Sequence, residues 1–133
     1  MTDENCIFCK IGKGEIPHNK VYEDDKYIAF LDIKPAMLGH VLLIQKKHVN
    51  WVHEAEDAEI EEIFKLAKKI ILAMRKGLPC DFVQLNIIGR DVPHFHIHLV
   101  PRFMTDTLAG WPVKEYPEKN ESEFVEKIKS GFN

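Results

Sequence analysis

His94, His96 and His98 occupy every second position of Pro93-His94-Phe95-His96-Ile97-His98-Leu99-Val100-Pro101-Arg102. Successive side chains of a β-strand point to opposite faces. The three imidazoles then line one face, roughly 6.6 Å apart per step, while Phe95, Ile97 and Leu99 line the other. A single histidine on a strand is ordinarily structural or surface decoration. Three in strict alternation are not explained by packing. Imidazole can act as nucleophile, general acid–base or metal ligand. In one chemistry a neutral ring nitrogen attacks phosphorus without prior deprotonation, and a neighbouring ring donates a hydrogen bond to the phosphoryl oxygens. In another, the three rings share one metal ion with an open water position.

Cys6-Ile7-Phe8-Cys9 is the second chemical signal, because its spacing lets two thiolates meet one cation. Met1 to Lys10 is acidic and lacks the apolar stretch of a secretory signal, and no apolar run approaches the roughly 20 residues of a spanning helix. The expectation is a cytoplasmic, reducing setting with no membrane contact, in which Cys-x-x-Cys reads as a metal or redox pair. The redox reading is the weaker, since no βαβ pattern follows. Cys80 reads as an ordinary buried thiol, and His18 and His53 as surface residues. The balance of 18 basic against 21 acidic side chains offers no basic field for a nucleic-acid polymer.

The elements that would position these groups are short strands and one helix. At 133 residues the chain is the size of one domain, and a single domain over 1–133 is expected. Val21–Glu23 and Tyr27–Asp32, separated by Asp24-Asp25-Lys26, read as a β-hairpin. Gly39–Gln45 reads as a central strand, with Phe82–Ile88 and Phe95–Val100 as the fourth and fifth. Asp57–Gly77 is the clear helix. Ile60, Ile63, Phe64, Ala67, Ile70, Ile71 and Met74 form its core-facing stripe, Asp57 caps its start, and Gly77 with Pro79 ends it. Glu121–Lys129 reads as a short terminal helix.

The chain resembles the histidine-triad superfamily. His94-Phe95-His96-Ile97-His98-Leu99-Val100 satisfies its signature of three alternating histidines, apolar residues between them and two apolar residues after. Further similarity, in the order and spacing of bacterial members, runs through Cys6–Ile11, Gly14-Glu15-Ile16-Pro17, Val21–Asp25, Ala29–Ile33, Gly39–Ile44 and Lys46-Lys47-His48. The tail, 103–133, shares nothing with the pattern. Phe95 and His98 stand where the nucleotidyl-transferase branch has Pro and Gln, which favours the hydrolase branch.

The resemblance implies an α+β fold: a five-stranded antiparallel meander with one long helix on one side. It implies a nucleotide hydrolase or nucleotidyl transferase in which His96 attacks the α-phosphorus of a purine nucleotide and forms a nucleotidyl-histidine. His98 would contact the α-phosphate and His40 would support it. Asp32 would bind the ribose hydroxyls, Phe8, Phe30 and Ile33 would form the base slot, and Asn86 would reach the phosphate or ribose. Asn86 also stands out alone, as a polar side chain in an apolar strand that needs a partner. Asp91 departs from the Ser or Glu the family often carries near the leaving group, and Arg90 beside it has no assigned role. Cys6, Cys9, His48 and His94 would hold a structural zinc. Family members usually form two-fold homodimers whose sheets join, and the tail with Trp111 would then reach the partner's site. A nucleotide-binding regulatory module without turnover is the non-enzymatic alternative.

Overall fold

The structure is a computed structural model that describes residues 3–107, 112–117 and 120–133. In chain order the elements are α1 (Ile7–Gly12), β1 (Lys20–Glu23), β2 (Tyr27–Leu31), β3 (Val41–Gln45), α2 (Asp57–Gly77), β4 (Phe82–Asn86), β5 (His96–Arg102) and α3 (Glu121–Ser130), with a 3-10 turn at Val52–Glu54. The five strands form one antiparallel sheet in the order β1-β2-β3-β5-β4. The expected antiparallel α+β architecture is present, but the sheet is not a meander. The chain leaves β3, runs through α2 and enters at the edge as β4, and β5 then inserts between β4 and β3. The strand carrying the histidines is therefore interior.

Period-2 alternation gives the sheet two unlike faces. Ala29, Leu31, Val41, Leu43, Ile97 and Leu99 pack with Ile63, Ala67, Ile70 and Met74 of α2. On the opposite face Ile28, Phe30, Leu42 and Ile44 are covered by Phe8, Cys9 and Ile11 of α1. The β1–β2 turn is held by the Asp24 carboxylate, which accepts from the backbone N–H groups of Lys26 and Tyr27, each at 2.8 Å.

The long helix starts and ends as expected, with two corrections. Asp57 is its first helical residue, and Glu56 takes the capping position, its N–H donating to Glu59 at 2.8 Å. The inward stripe includes Leu66 and Ala73, Ile60 and Ile71 are only partly buried, and Phe64 lies 39% exposed. No described helix is long and apolar enough to cross a membrane.

α2 and α3 approach so closely that glycine is required at their crossing. A Cβ on Gly77 would lie 1.8 Å from the Lys127 carbonyl oxygen. Gly77→Ala gains helix propensity but must separate the two helices. A net loss of about 2 kcal/mol is expected, on the scale of overpacked cores, and thermal unfolding should show a Tm several degrees lower. An unchanged or raised Tm would contradict the close approach.

Candidate active site and metal centre

The register places the chemical residues on the α1-covered face. Phe30 pairs with Leu42, Leu42 with His98, and His98 with Asn86, one row across four strands. His96 lies in the next row, opposite Ile44. Asp32 and His40 sit just past the paired ends of β2 and β3, where the Asp32 N–H donates to the His40 carbonyl at 2.9 Å. His94 departs from the expected alternating strand. It lies before β5 in a turn where its N–H donates to the Val92 carbonyl. The chain becomes regular only at His96.

The hydrogen bonds fix the ring tautomers. His96 Nδ1 is 2.6 Å from the His94 carbonyl oxygen. A carbonyl only accepts, so the proton is on Nδ1 and the lone pair on Nε2. His40 Nδ1 accepts from the Ala36 N–H at 3.0 Å. Its proton is on Nε2, which lies 3.0 Å from His98 Nδ1 and 3.7 Å from Asp32 Oδ2. His98 accepts at Nδ1 and carries its own proton on Nε2. The relay Ala36–His40–His98 thus orients a donor beside a nucleophilic nitrogen.

Burial keeps these rings neutral. His40, His94, His96 and His98 are all buried. Desolvation pushes His40 down to about 3 and His98 down to about 4. His96 is also lowered by burial, opposed by the His94 carbonyl and by the Asp91 carboxylate. Burial raises the Asp32 carboxyl. At neutral pH the face holds uncharged imidazoles, the form in which Nε2 can attack.

The aromatic surroundings lie on the α1 side. Phe8 meets His96 edge-on at 5.1 Å between centroids and Phe30 at 5.6 Å. Ile33 is 81% exposed on the adjoining loop. Asn86 Oδ1 accepts from Gln84 at 2.7 Å, the partner its strand position demanded. Asp91 is exposed, and its charge acts on both His96 and His98. Arg90 is exposed with no partner in view among the described residues.

His94 faces away from this relay. Its Nδ1 is 3.3 Å from Cys6 Sγ and 3.5 Å from Cys9 Sγ, and His48 Nδ1 is 3.3 Å from Cys9 Sγ. The four ligand atoms of Cys6, Cys9, His48 and His94 lie within 4.8 Å of one another. Tetrahedral zinc, with bonds of about 2.3 Å to sulfur and 2.0 Å to nitrogen, spaces sulfur and nitrogen about 3.5 Å apart. The donor set fits. Both rings are also turned correctly, because His94 Nε2 donates to the Gln45 carbonyl at 2.7 Å and His48 Nε2 donates to Asn50 Oδ1 at 2.7 Å. Each bond leaves Nδ1 as a lone pair toward the thiols. Burial raises the Cys9 thiol. Among the described residues the other cluster of this kind is Asp32, His40 and His98, and neither cluster contains His96. The shared-metal reading of His94, His96 and His98 therefore lacks its geometry.

Three features were not anticipated. Gln45 and Asn50 orient the rings of His94 and His48, and the clue to Asn50 was its place two residues after His48. Trp51 flanks His96 across a cleft of about 90 Å³ with Ile88 and Gly89. Gly89 has φ +74°, and a Cβ there would lie 3.2 Å from the Trp51 ring. His18 is not a surface residue: it is half-buried with its ring edge-on to Phe30. His53 is exposed and Cys80 buried, as expected. The described part of the tail packs on its own chain, the Tyr116 hydroxyl accepting from the Gly39 N–H at 2.9 Å. Trp111 lies outside the described residues.

The HIT domain family matches residues 13–105. The chain is 38% identical to Protein hit of Bacillus subtilis over 97% of this chain and 92% of that one. It is also 38% identical to the adenosine 5'-monophosphoramidase of Saccharomyces cerevisiae, over 85% of this chain and 73% of that one. Among solved structures, a zinc-bound histidine triad family protein of Mycobacterium smegmatis superposes with a TM-score of 0.87 at 28% identity, covering 96% of this chain and 93% of the other.

Proposed function

This chain belongs to the HIT domain family, and on that premise we propose that it hydrolyses purine nucleotides substituted at the α-phosphate, through a covalent nucleotidyl-His96 intermediate. The observation that carries the reading is the Nδ1 bond from His96 to the His94 carbonyl. It leaves a neutral Nε2 as nucleophile and accepts the positive charge that develops on the ring as Nε2 bonds to phosphorus. The bond from phosphorus to the leaving group breaks in that step. Water then opens the phosphorus–nitrogen bond, releasing the nucleoside monophosphate and restoring His96. His98, oriented by His40, donates to a phosphoryl oxygen.

Asp32 accepts from the ribose hydroxyls, Phe8, Phe30 and Ile33 contact the base, and Asn86 reaches the phosphate or ribose. Asp91 acts on the leaving-group side. The name of the S. cerevisiae relative supports adenosine 5'-phosphoramidate as the test substrate. The experiment is release of AMP from it by the wild-type protein, and no turnover would sink the reading.

Cys6, Cys9, His48 and His94 hold a structural zinc in this proposal, supported by the fit of the donor set and by the zinc-bound relative. Bound zinc would keep both thiols ionised and tie α1 to the approach to β5. Two copies of the chain are expected to pair along the free edge of β4, where Phe82 and Leu85 are exposed and Phe64 and Leu72 of α2 add apolar surface. Light scattering should give the mass of a dimer, and a monomer at micromolar concentration would refute the pairing.

A further inference from the structure

Asp106, Arg102, Gln84 and Asn86 form a line of polar side chains, and the reaction above uses only the last of them. Arg102 pairs with Phe82, Val100 with Gln84 and His98 with Asn86, with no shift of register. The period of two therefore puts Arg102, Gln84 and Asn86 on the same face as His96 and His98. The Asp106 carboxylate accepts from Arg102 Nε at 2.8 Å and from Nη2 at 2.6 Å. Arg102 Nη1 donates to Gln84 Oε1, and Gln84 Nε2 donates to Asn86 Oδ1 at 2.7 Å. The Arg102 and Asp106 side chains are only 18% and 11% exposed, so this bidentate pair is held away from solvent.

Each step of the line has one polarity. A guanidinium only donates. The end of Gln84 that meets Arg102 is therefore its oxygen, and the end that meets Asn86 is its amino group. Asn86 must then turn Oδ1 toward Gln84, which leaves both Nδ2 protons for the other side. Among the described residues nothing accepts them. Asn86 is half-buried, and its Nδ2 is not one of the buried atoms that lack a partner, so it is open to solvent. Directly opposed residues of an antiparallel pair have Cβ atoms about 5 Å apart. The free donor thus stands beside His98, whose own Nε2 proton is oriented by His40.

We propose that Gln84 and Arg102, anchored by Asp106, are positioning residues that lock the Asn86 amide with its N–H donors toward the α-phosphate. The inference rests on the nucleotide-binding reading of this face and deepens it, because it chooses phosphate over ribose as the partner of Asn86. Phosphoryl oxygens at neutral pH accept, whereas a ribose hydroxyl both donates and accepts and needs no fixed amide. The two ends of an amide have nearly the same shape. An unlocked Asn86 can turn over and set an acceptor against an anion. The face then carries two relays of one logic: a backbone N–H fixes His40 and His98, and a guanidinium fixes Gln84 and Asn86.

Gln84→Glu tests the lock while keeping the contact with Arg102. A carboxylate accepts from the guanidinium as the amide oxygen did, but it offers Asn86 acceptors only. Asn86 then turns Nδ2 toward the new carboxylate and Oδ1 toward the phosphate. Calorimetry should show AMP bound at least about tenfold more weakly, the scale of a lost hydrogen bond to a charged group. Adenosine, which lacks the phosphate, should stay within about twofold, as an independent site does. Thermal unfolding should be unchanged or later. Asn86→Ala controls for the added charge: in that background Gln84→Glu should change AMP affinity by less than about twofold. Gln84→Met keeps the length, adds no charge and frees the amide to turn. Its AMP affinity should fall about threefold, as the competent orientation loses population, and again only when Asn86 is present. Unchanged AMP affinity in both variants, an equal loss for adenosine, or the same loss in the Asn86→Ala background would overturn the proposal. If wild type hydrolyses adenosine 5'-phosphoramidate, any of these results overturns it alone. A phosphate-specific loss that depends on Asn86, without hydrolysis, supports it and removes only the hydrolase reading. No binding of AMP or adenosine by wild type overturns both.

Discussion

His96→Ala should release AMP from adenosine 5'-phosphoramidate at least about 10⁴-fold more slowly than wild type, the scale on which loss of a covalent nucleophile is felt. Nucleotide affinity should change only a few-fold. The asymmetry follows from position. In the proposed reaction Asp32, Phe8, Phe30 and His98 would contact ribose, base and phosphate, whereas His96 would supply the atom that must form a bond. No other ring on this face can substitute. His98 Nδ1 accepts from His40 and its proton is on Nε2, so it is oriented as a donor. His94 Nε2 is engaged with the Gln45 carbonyl and its Nδ1 with the thiols. Rapid quench of the wild type with labelled substrate should trap a nucleotidyl-protein adduct that the variant lacks. Equal turnover by both proteins would remove His96 from the chemistry.

The alternation of His96 and His98 could be read from the sequence because a strand's period of two is written directly in residue types. The order of the strands could not. The connection from β3 to β4 contains α2, and a helix of 21 residues permits β4 to dock on either side of its predecessor. α1 spans six residues, too few for a helical period to show, and its presence follows from Phe8, Cys9 and Ile11 covering one face of the sheet. The stripe of α2 was ambiguous because apolar residues cover more than half its circumference. Packing against β5 and α3 turns Leu66 and Ala73 inward and leaves Phe64 out. His18 is polar and sits among loop residues, so local composition suggests the surface. Only the fold brings it against Phe30. Cys6 and Cys9 were paired by their own spacing, whereas Asp32, His40, Phe8 and two of the candidate metal ligands, His48 and His94, came through family resemblance. Their sequence separations are long, and no local pattern joins Cys6 to His94.

Metal removal should separate stability from catalysis. A cation present at about 1,000 times its dissociation constant adds about 4 kcal/mol to the folded state. For a chain of this size that corresponds to roughly 10–20 °C in Tm. Thermal unfolding after exhaustive chelation should therefore fall by that amount and recover on addition of stoichiometric Zn²⁺. Cys9→Ser should mimic chelation and not recover. The residual turnover of the chelated protein at 25 °C should stay within about threefold of the loaded protein, because Cys6, Cys9 and His48 do not line the relay and the intact sheet still holds β5. A catalytic metal predicts the reverse, with activity lost on chelation while much of the protein remains folded. His94 makes the distinction sharp. Its ring faces the thiols and its carbonyl holds the Nδ1 proton of His96. A change at the metal would reach His96 through that backbone oxygen and through Phe8, which lies between Cys6 and Cys9 and meets the His96 ring at 5.1 Å, and would shift the geometry of attack without removing the proposed attacking atom.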